Sequence, residues 1–249
     1  MDINDAWKET CKVLLGGEIG DMAQYEKYLS SQVEPIYLKK SILSQANVAV
    51  SNPNFCKGAR FMSNNEQGEY AKRASKAKLS INDVKDIDSI ISAVSENFIY
   101  SGNHIIGNSR EVKNSDLCES SSYVLNSSEV YESKYIAYCN LSRNDEYMFG
   151  SNFLGESKYC IKSHYTHKLV RSMETLRCFL SSDCYYSANL EGCANCLFSF
   201  NQRNRSNLIG NAQFSQEEYN KLKGNLVAQL KDELQSKKSL PMIIDILSG

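Results

Sequence analysis

Several features are scarce or missing from this chain. Its formal net charge is only −1, so no excess of one sign draws the whole molecule to nucleic acid or to an anionic membrane. No apolar run reaches the roughly 20 residues of a membrane span. Residues 1–5 are acidic and lack the basic-then-apolar order of a secretory leader. The familiar catalytic signatures are absent: no GxxxxGKS or GxxxxGKT phosphate loop, no HExxH and no GxSxG. A disulfide framework is also excluded. The nine cysteines are an odd number in a long chain, and most fall on interior positions of a repeat. Free cysteine packs as a small hydrophobe, which points to a reducing cytoplasm.

What is present is a six-residue beat over 100–199. Counting by six from Tyr100 gives Ile106, Val112, Cys118, Val124 and Val130. Allowing three-residue insertions, the count continues through Cys139, Met148, Leu154, Cys160, Leu169, Cys178, Cys184, Leu190 and Cys196. Three residues after each stands a small polar residue, which is serine at 13 of the 15 places. Such a period fits neither a 3.6-residue helix nor a heptad. It describes stacked units, each a short strand and a corner, that cannot bury their apolar faces alone. Grouping the positions in threes predicts a mainly β protein with helical additions. Its core is a single-stranded, three-sided parallel β-helix of about five 18-residue coils, beginning at Tyr100, Cys118, Cys139, Cys160 and Cys184. In this grouping the five coil-opening residues share one interior column. Serine suits the corners because its hydroxyl can bond neighbouring backbone.

The flanks read as helices. Ile3, Trp7, Cys11, Leu14 and Leu15 share one helical face, and Gly16-Gly17 stops it. Met22, Tyr25, Tyr28 and Leu29 mark a second helix ended by Pro35. A fainter beat predicts an irregular first coil over 36–63. Residues 64–99 read as an inserted helical segment, with a capping box at Ser80 and Asp83 and an apolar face of Val84, Ile87, Ile91, Val94 and Phe98. Ser215 and Glu218 open a last helix within 200–249, followed by an apolar tail that needs a surface to cover it. Caps are expected because a bare terminal coil is an unpaired edge.

Three resemblances follow from local text. Cys193-Ala194-Asn195-Cys196, Arg203-Asn204, Asn211 and Ser215-Gln216-Glu217-Glu218-Tyr219 together resemble cysteine-rich repeat proteins of archaea and uncultivated bacteria. That resemblance implies the repeat fold and brings no activity. Many such proteins open with a zinc-ribbon cysteine cluster, whereas here only Cys11 and Cys56 precede the stack. The beat also resembles that of hexapeptide-repeat acyltransferases. Here, however, the small residue follows the aliphatic one by three positions rather than four, and glycine follows it only at Gly107 and Gly155. The segment Asn201-Gln202-Arg203-Asn204-Arg205 resembles the tubulin-cofactor-C type of β-helix, which presents an arginine to a GTPase.

Candidate sites follow from these patterns. The insertions predict two stacked loops, 142–147 and 163–168, that bring Asp145 and Glu146 close to His164 and His167. A carboxylate beside a histidine can orient it as a general base, so these four are the catalytic candidates. Against this stands the plainer reading of a solvated, charged loop pair. Cys178, Cys184, Cys193 and Cys196 are the thiols that zinc would use, but all except Cys193, which replaces a corner serine, sit on the interior beat; this favours packing, and neither a metal nor a cofactor is expected. The outward positions Ile161, Val170, Phe179, Tyr185 and Leu197 turn apolar late in the stack. Either the chain's own helices or a partner covers them. Phe179, Tyr185, Gln202, Arg203 and Arg205 are therefore the interaction candidates. The leading expectation is a non-enzymatic interaction or assembly module whose partner is another protein subunit. The rival is an enzyme or small-ligand binder using the two loops.

Overall fold

The computed structural model describes residues 1–52, 54, 58–76 and 79–248. Its core is a parallel β-solenoid flanked by helices, as the beat predicts. The coil, however, has 12 residues rather than 18. Val112 pairs with Val124, Ile136 with Met148, Met148 with Cys160, and Cys184 with Cys196. The opposite side keeps the same step, with Cys118 on Val130, Ser142 on Leu154 and Leu190 on Gln202. Two six-residue sides therefore close each turn, and from Arg110 to Ile209 the register admits no insertion.

The backbone explains how so short a coil closes. Every third residue from Glu111 to Gly210 is in the left-handed region. Only Gly150, Gly192 and Gly210 among these are glycine, and eight are asparagine. A left-handed bend every third residue turns the chain four times per coil. Bulky residues such as Tyr135, Tyr147 and Phe153 adopt it at a cost of about 1–2 kcal/mol each. Stacking must offset that cost, because isolated chains avoid this conformation.

The residue after each bend points inward. The 29 interior positions from Ser115 to Ser199, spaced by three, are all buried. They alternate between a flat side, mostly Val, Ile, Leu, Met or Cys, and a corner, mostly Ser. Most corner serines use the hydroxyl twice, once as donor and once as acceptor. The Ser121 hydroxyl donates to the Glu119 carbonyl at 2.8 Å and accepts the Ser133 amide at 3.1 Å. Ser127 does the same with Leu125 at 2.8 Å and Cys139 at 3.0 Å. A corner amide that the strand ladder does not use is thus satisfied by the hydroxyl one coil below.

Helix α1 (Ile3–Leu15) lies across one sheet of the solenoid. It starts in an Asp2/Asp5 capping box and ends at a left-handed Gly16. Helix α2 (Glu26–Ser30) follows a short 3-10 turn. Strands β1 (Tyr37–Lys40) and β2 (Asn47–Val50) form an antiparallel hairpin, and β3 (Arg60–Ser63) pairs in parallel with β4 (Ile99–Gly102). These strands replace the irregular first coil expected over 36–63, of which 53 and 55–57 lie outside the described residues. They close one end of the stack, where Gly102 meets the Ala49 carbonyl too closely for any side chain.

Between β3 and β4 come helices α3 (Gln67–Ala74) and α4 (Ile87–Val94). Residues 77 and 78, within the segment read as helical, lie outside the described residues. The Ser80–Asp83 box makes only a turn. Helix α4 starts instead from an Asp86/Ser89 box, and Ile87 and Ile91 on its apolar side are exposed. Helix α5 (Gln216–Lys237) opens at the expected Ser215/Glu218 box. Helix α6 (Ile243–Ser248) returns the tail to the solenoid and buries Ile243.

Candidate functional site

The two sheets of the solenoid have different outer surfaces. One is covered. Its outward residues Ala137, Phe149, Ile161, Met173, Tyr185 and Leu197 join Trp7, Cys11, Leu14, Tyr219 and Leu234 in a single core. Trp7 lies edge-on to Phe149, ring centres 5.3 Å apart. Among the described residues, no helix packs on the other sheet. It presents Leu117, Leu141, Phe153 and Tyr165 in one exposed column. Tyr131, Arg143, Gly155, His167 and Phe179 form the column beside it. Phe153 and Tyr165 stack at 4.5 Å, nearly parallel at 8°.

Gly155 is the one rung between Tyr131 and Phe179 that has no side chain, so it leaves a notch. The hollow holds about 380 Å³ and is walled by Tyr131, Leu141, Arg143, Asn144, Glu156 and His167, with Glu129 and Leu154. The Arg143 guanidinium lies 5.3 Å from the Tyr131 ring centre. His167 Nε2 is 3.7 Å from Glu156, which also meets Lys168 at 3.4 Å. A cation, an imidazole and two carboxylates thus surround an apolar floor.

The structure corrects the geometry expected of the catalytic candidates. Residues 142–147 and 163–168 are not loops. They belong to strands and corners of regular coils. Asp145 takes a corner serine's place and is fully buried. Its carboxylate accepts the Ser157 amide at 2.7 Å, the Ser142 hydroxyl at 2.7 Å and the Arg143 amide at 3.0 Å. Burial pushes its pKa up to about 6 against those bonds. Glu146 pairs with Lys158 at 2.6 Å beside the tyrosines of the covered sheet. His164 is buried, its Nε2 has no hydrogen-bond partner among the described residues, and burial together with Lys162 pulls its pKa down to about 3. Arg143, Asn144 and His167 therefore meet at the surface of the bare sheet, Asp145 is buried beside Arg143 within reach of the His167 charge, and Glu146 and His164 do not join them.

The interaction candidates also separate. Phe179 is exposed on the bare sheet. Tyr185 lies under α1 and donates its hydroxyl to the Leu14 carbonyl at 2.9 Å. With Ile161 and Leu197 it is covered by the chain's own helices. Gln202 and Arg203 lie on the last strand of the bare sheet, where Arg203 pairs with Glu191 at 2.7 Å. Arg205 is exposed at the final corner.

The thiols are buried but not in one column. Cys118 is on the bare side, Cys139 at a corner, and Cys160 and Cys184 on the covered side with Ser172 between them. Cys178, Cys184, Cys193 and Cys196 are likewise spread over three ladders, and each bonds a carbonyl two residues back. Among the described residues no His, Cys, Asp or Glu group could hold a metal ion. Burial pushes the thiols of Cys118, Cys139 and Cys178 up to about 12, which leaves them unreactive.

One polar column escaped the sequence reading. Lys162, Glu174 and Tyr186 stand one coil apart beside the covered sheet, and each grips a terminal segment. The Lys162 ammonium reaches Ser31 Oγ at 2.9 Å, with the Tyr28 ring 5.4 Å away. Glu174 accepts the Tyr28 hydroxyl at 2.5 Å on one oxygen and the Ile243 amide at 2.8 Å on the other. The Tyr186 hydroxyl donates to the Pro241 carbonyl at 2.8 Å. Lys162 and Glu174 are fully buried. Burial lowers Lys162 to about 8, opposed by the Glu174 charge. Burial raises Glu174 to about 7, opposed by its bonds to Tyr28 and Ile243. The 12-residue register is the signal that would have put these three residues in line.

No protein-family model, curated protein or solved structure matches this chain. Among the described residues, no helix is long and apolar enough to cross a membrane.

Proposed function

We propose that this protein is an interaction or assembly module that engages another protein through its bare sheet. The observation that carries the reading is the asymmetry of the two sheets. One is sealed by the chain's own helices, and the other keeps Leu141, Phe153, Tyr165 and Phe179 exposed on a flat, repeating surface. An exposed apolar column beside Arg143, His167 and Lys168 has the character of a protein interface. Free, buried thiols are consistent with a reducing compartment such as the cytoplasm.

The test uses a photo-crosslinking residue at Phe153 and, as a control, at Lys221 on exposed helix α5. In native lysate the residue-153 protein should give a discrete adduct and the residue-221 protein none. Equal yields at both positions would sink the reading. A second reading rests on the Gly155 notch, which is shaped for a small ligand touching Arg143 and His167. A side chain at Gly155 meets His167 Nδ1 at 3.1 Å already at Cβ, so Gly155→Val fills the hollow. Loss of small-molecule binding with retained protein crosslinking favours this second reading.

A further inference from the structure

The seam where the chain termini meet contains a serine and a lysine in an arrangement the bare sheet does not use. Ser31 follows the end of α2, and its residue is exposed. Its Oγ is 2.9 Å from Lys162 Nζ, 2.8 Å from the Tyr28 carbonyl and 3.2 Å from Met242 Sδ. Lys162 is fully buried. A hollow of about 490 Å³ opens beside Ser31, with Tyr28, Leu240 and Met242 on its walls and Lys27 and Lys238 among its lining. Lys238 is held against Tyr25, 3.2 Å from the hydroxyl.

A hydroxyl becomes a nucleophile when a base lies within hydrogen-bond reach and a third group orients that base. Lysine serves as that base when its surroundings strip away water. Here Tyr28 holds the lysine from one side, and the titratable groups around it are Glu174, Asp245, Cys139 and His164. The hollow supplies an apolar wall for an acyl chain and positive charge for an anionic end.

We propose that Ser31 is an activated nucleophile with Lys162 as its general base, and that it hydrolyses a small, negatively charged carboxylic ester. The Ser31 hydroxyl turns from the Tyr28 carbonyl to Lys162. Oγ bonds to the ester carbon as its proton passes to Lys162 Nζ. The ester C–O bond breaks, and the leaving alkoxide takes that proton. Water then attacks the acyl-serine, giving the acid, restoring the serine and balancing the reaction as ester plus water to acid plus alcohol. This activity is separate from the binding role of the bare sheet and stands or falls without it.

The experiment treats the intact protein with a fluorophosphonate probe and maps the adduct by mass spectrometry. A single adduct on Ser31, absent in Ser31→Ala, is expected. Its rate should rise with pH and level off above about 8, where Lys162 loses its proton. Lys162→Met should slow labelling on the order of 100-fold or more, the scale of general-base catalysis. No adduct at Ser31, or a rate unchanged by Lys162→Met, would overturn the proposal. If that variant does not fold, the wild-type profile decides, because a rate that follows hydroxide without levelling off means an ordinary hydroxyl. A negatively charged p-nitrophenyl ester should be cleaved faster than a neutral one of equal length, and equal rates would overturn the substrate class.

Discussion

The bare and covered sheets are built from the same interior. Both alternate apolar flat-side residues with corner serines, both step by 12 residues, and both bend at every third residue. They differ only in outward residues. On the covered sheet the outward column of Ala137, Phe149, Ile161, Met173, Tyr185 and Leu197 matches the apolar faces of α1 and α5. On the bare sheet the equivalent column is mixed, running Tyr131, Arg143, Gly155, His167, Phe179 and Glu191. The interior repeat makes the scaffold, and the outward columns decide which side is filled by the chain itself and which is left for something else.

The largest expected effect tests that division directly. Trp7→Ala removes a fully buried ring that packs on Phe149 and Tyr25, and should cost about 3–5 kcal/mol. Phe153→Ala, on the bare sheet, should change stability by no more than about 0.5 kcal/mol, the usual range for a surface site. Urea denaturation of both variants measures the contrast. Similar losses would show that the bare sheet is as structural as the covered one.

The next effect concerns what the two sheets share. Ser127→Ala should cost about 1–3 kcal/mol, because it leaves the Cys139 amide buried without an acceptor. Thermal unfolding gives the loss. Ser127→Thr keeps the hydroxyl and should recover part of it. A neutral Ser127→Ala would mean that the corner serines are chosen for size alone.

The last and most local effect separates the covered sheet's helices from its tail. The Glu174 pKa is raised in the folded protein, from 4.5 to about 7. Its contribution to stability is therefore fully present below about pH 4.5 and is lost as pH rises through about 7. Docking of α6, whose Ile243 amide bonds Glu174, should loosen over that window, with Lys162, Tyr28 and Asp245 as the charged and titratable neighbours. Hydrogen exchange of residues 241–248 at pH 5 and pH 7.5 measures it, and Glu174→Gln should flatten the difference. Faster exchange at the acid end, after correction for the intrinsic rate, would reverse the sign and refute the assignment.

Much of this was legible in the residues. The helix over 3–15 with its glycine stop, the Ser215/Glu218 box and the serine beat are local signals, and the structure contains each of them. The insertions expected near Cys139, Cys160 and Leu169 arose from holding residue type constant. The chain instead holds the register constant and lets types trade places: Cys139, Asp145 and Leu169 sit at corners, while Ser142, Thr166 and Ser172 sit on flat sides. Serine and cysteine are both small enough for either interior position, so their identity does not report which position they occupy. That exchange also displaced the candidate site. Once the loops dissolve into strands, Arg143, Asn144 and His167 share the exposed notch, while Glu146 and His164 lie elsewhere.

By itself the amino-acid order determined a six-residue side, its inward apolar residue, its serine corner and the helices that start and stop at their own caps. These depend on contacts within one turn of chain. Whether two sides or three close a coil was decided only in the tertiary structure, because that choice rests on which residues stack across 12 positions and on bends that each cost energy unless their neighbours repeat them. The same long-range register placed Lys162 over Ser31, and Glu174 between Tyr28 and Ile243. Residues 131 and 69 positions apart were brought within hydrogen-bond reach that no local pattern records.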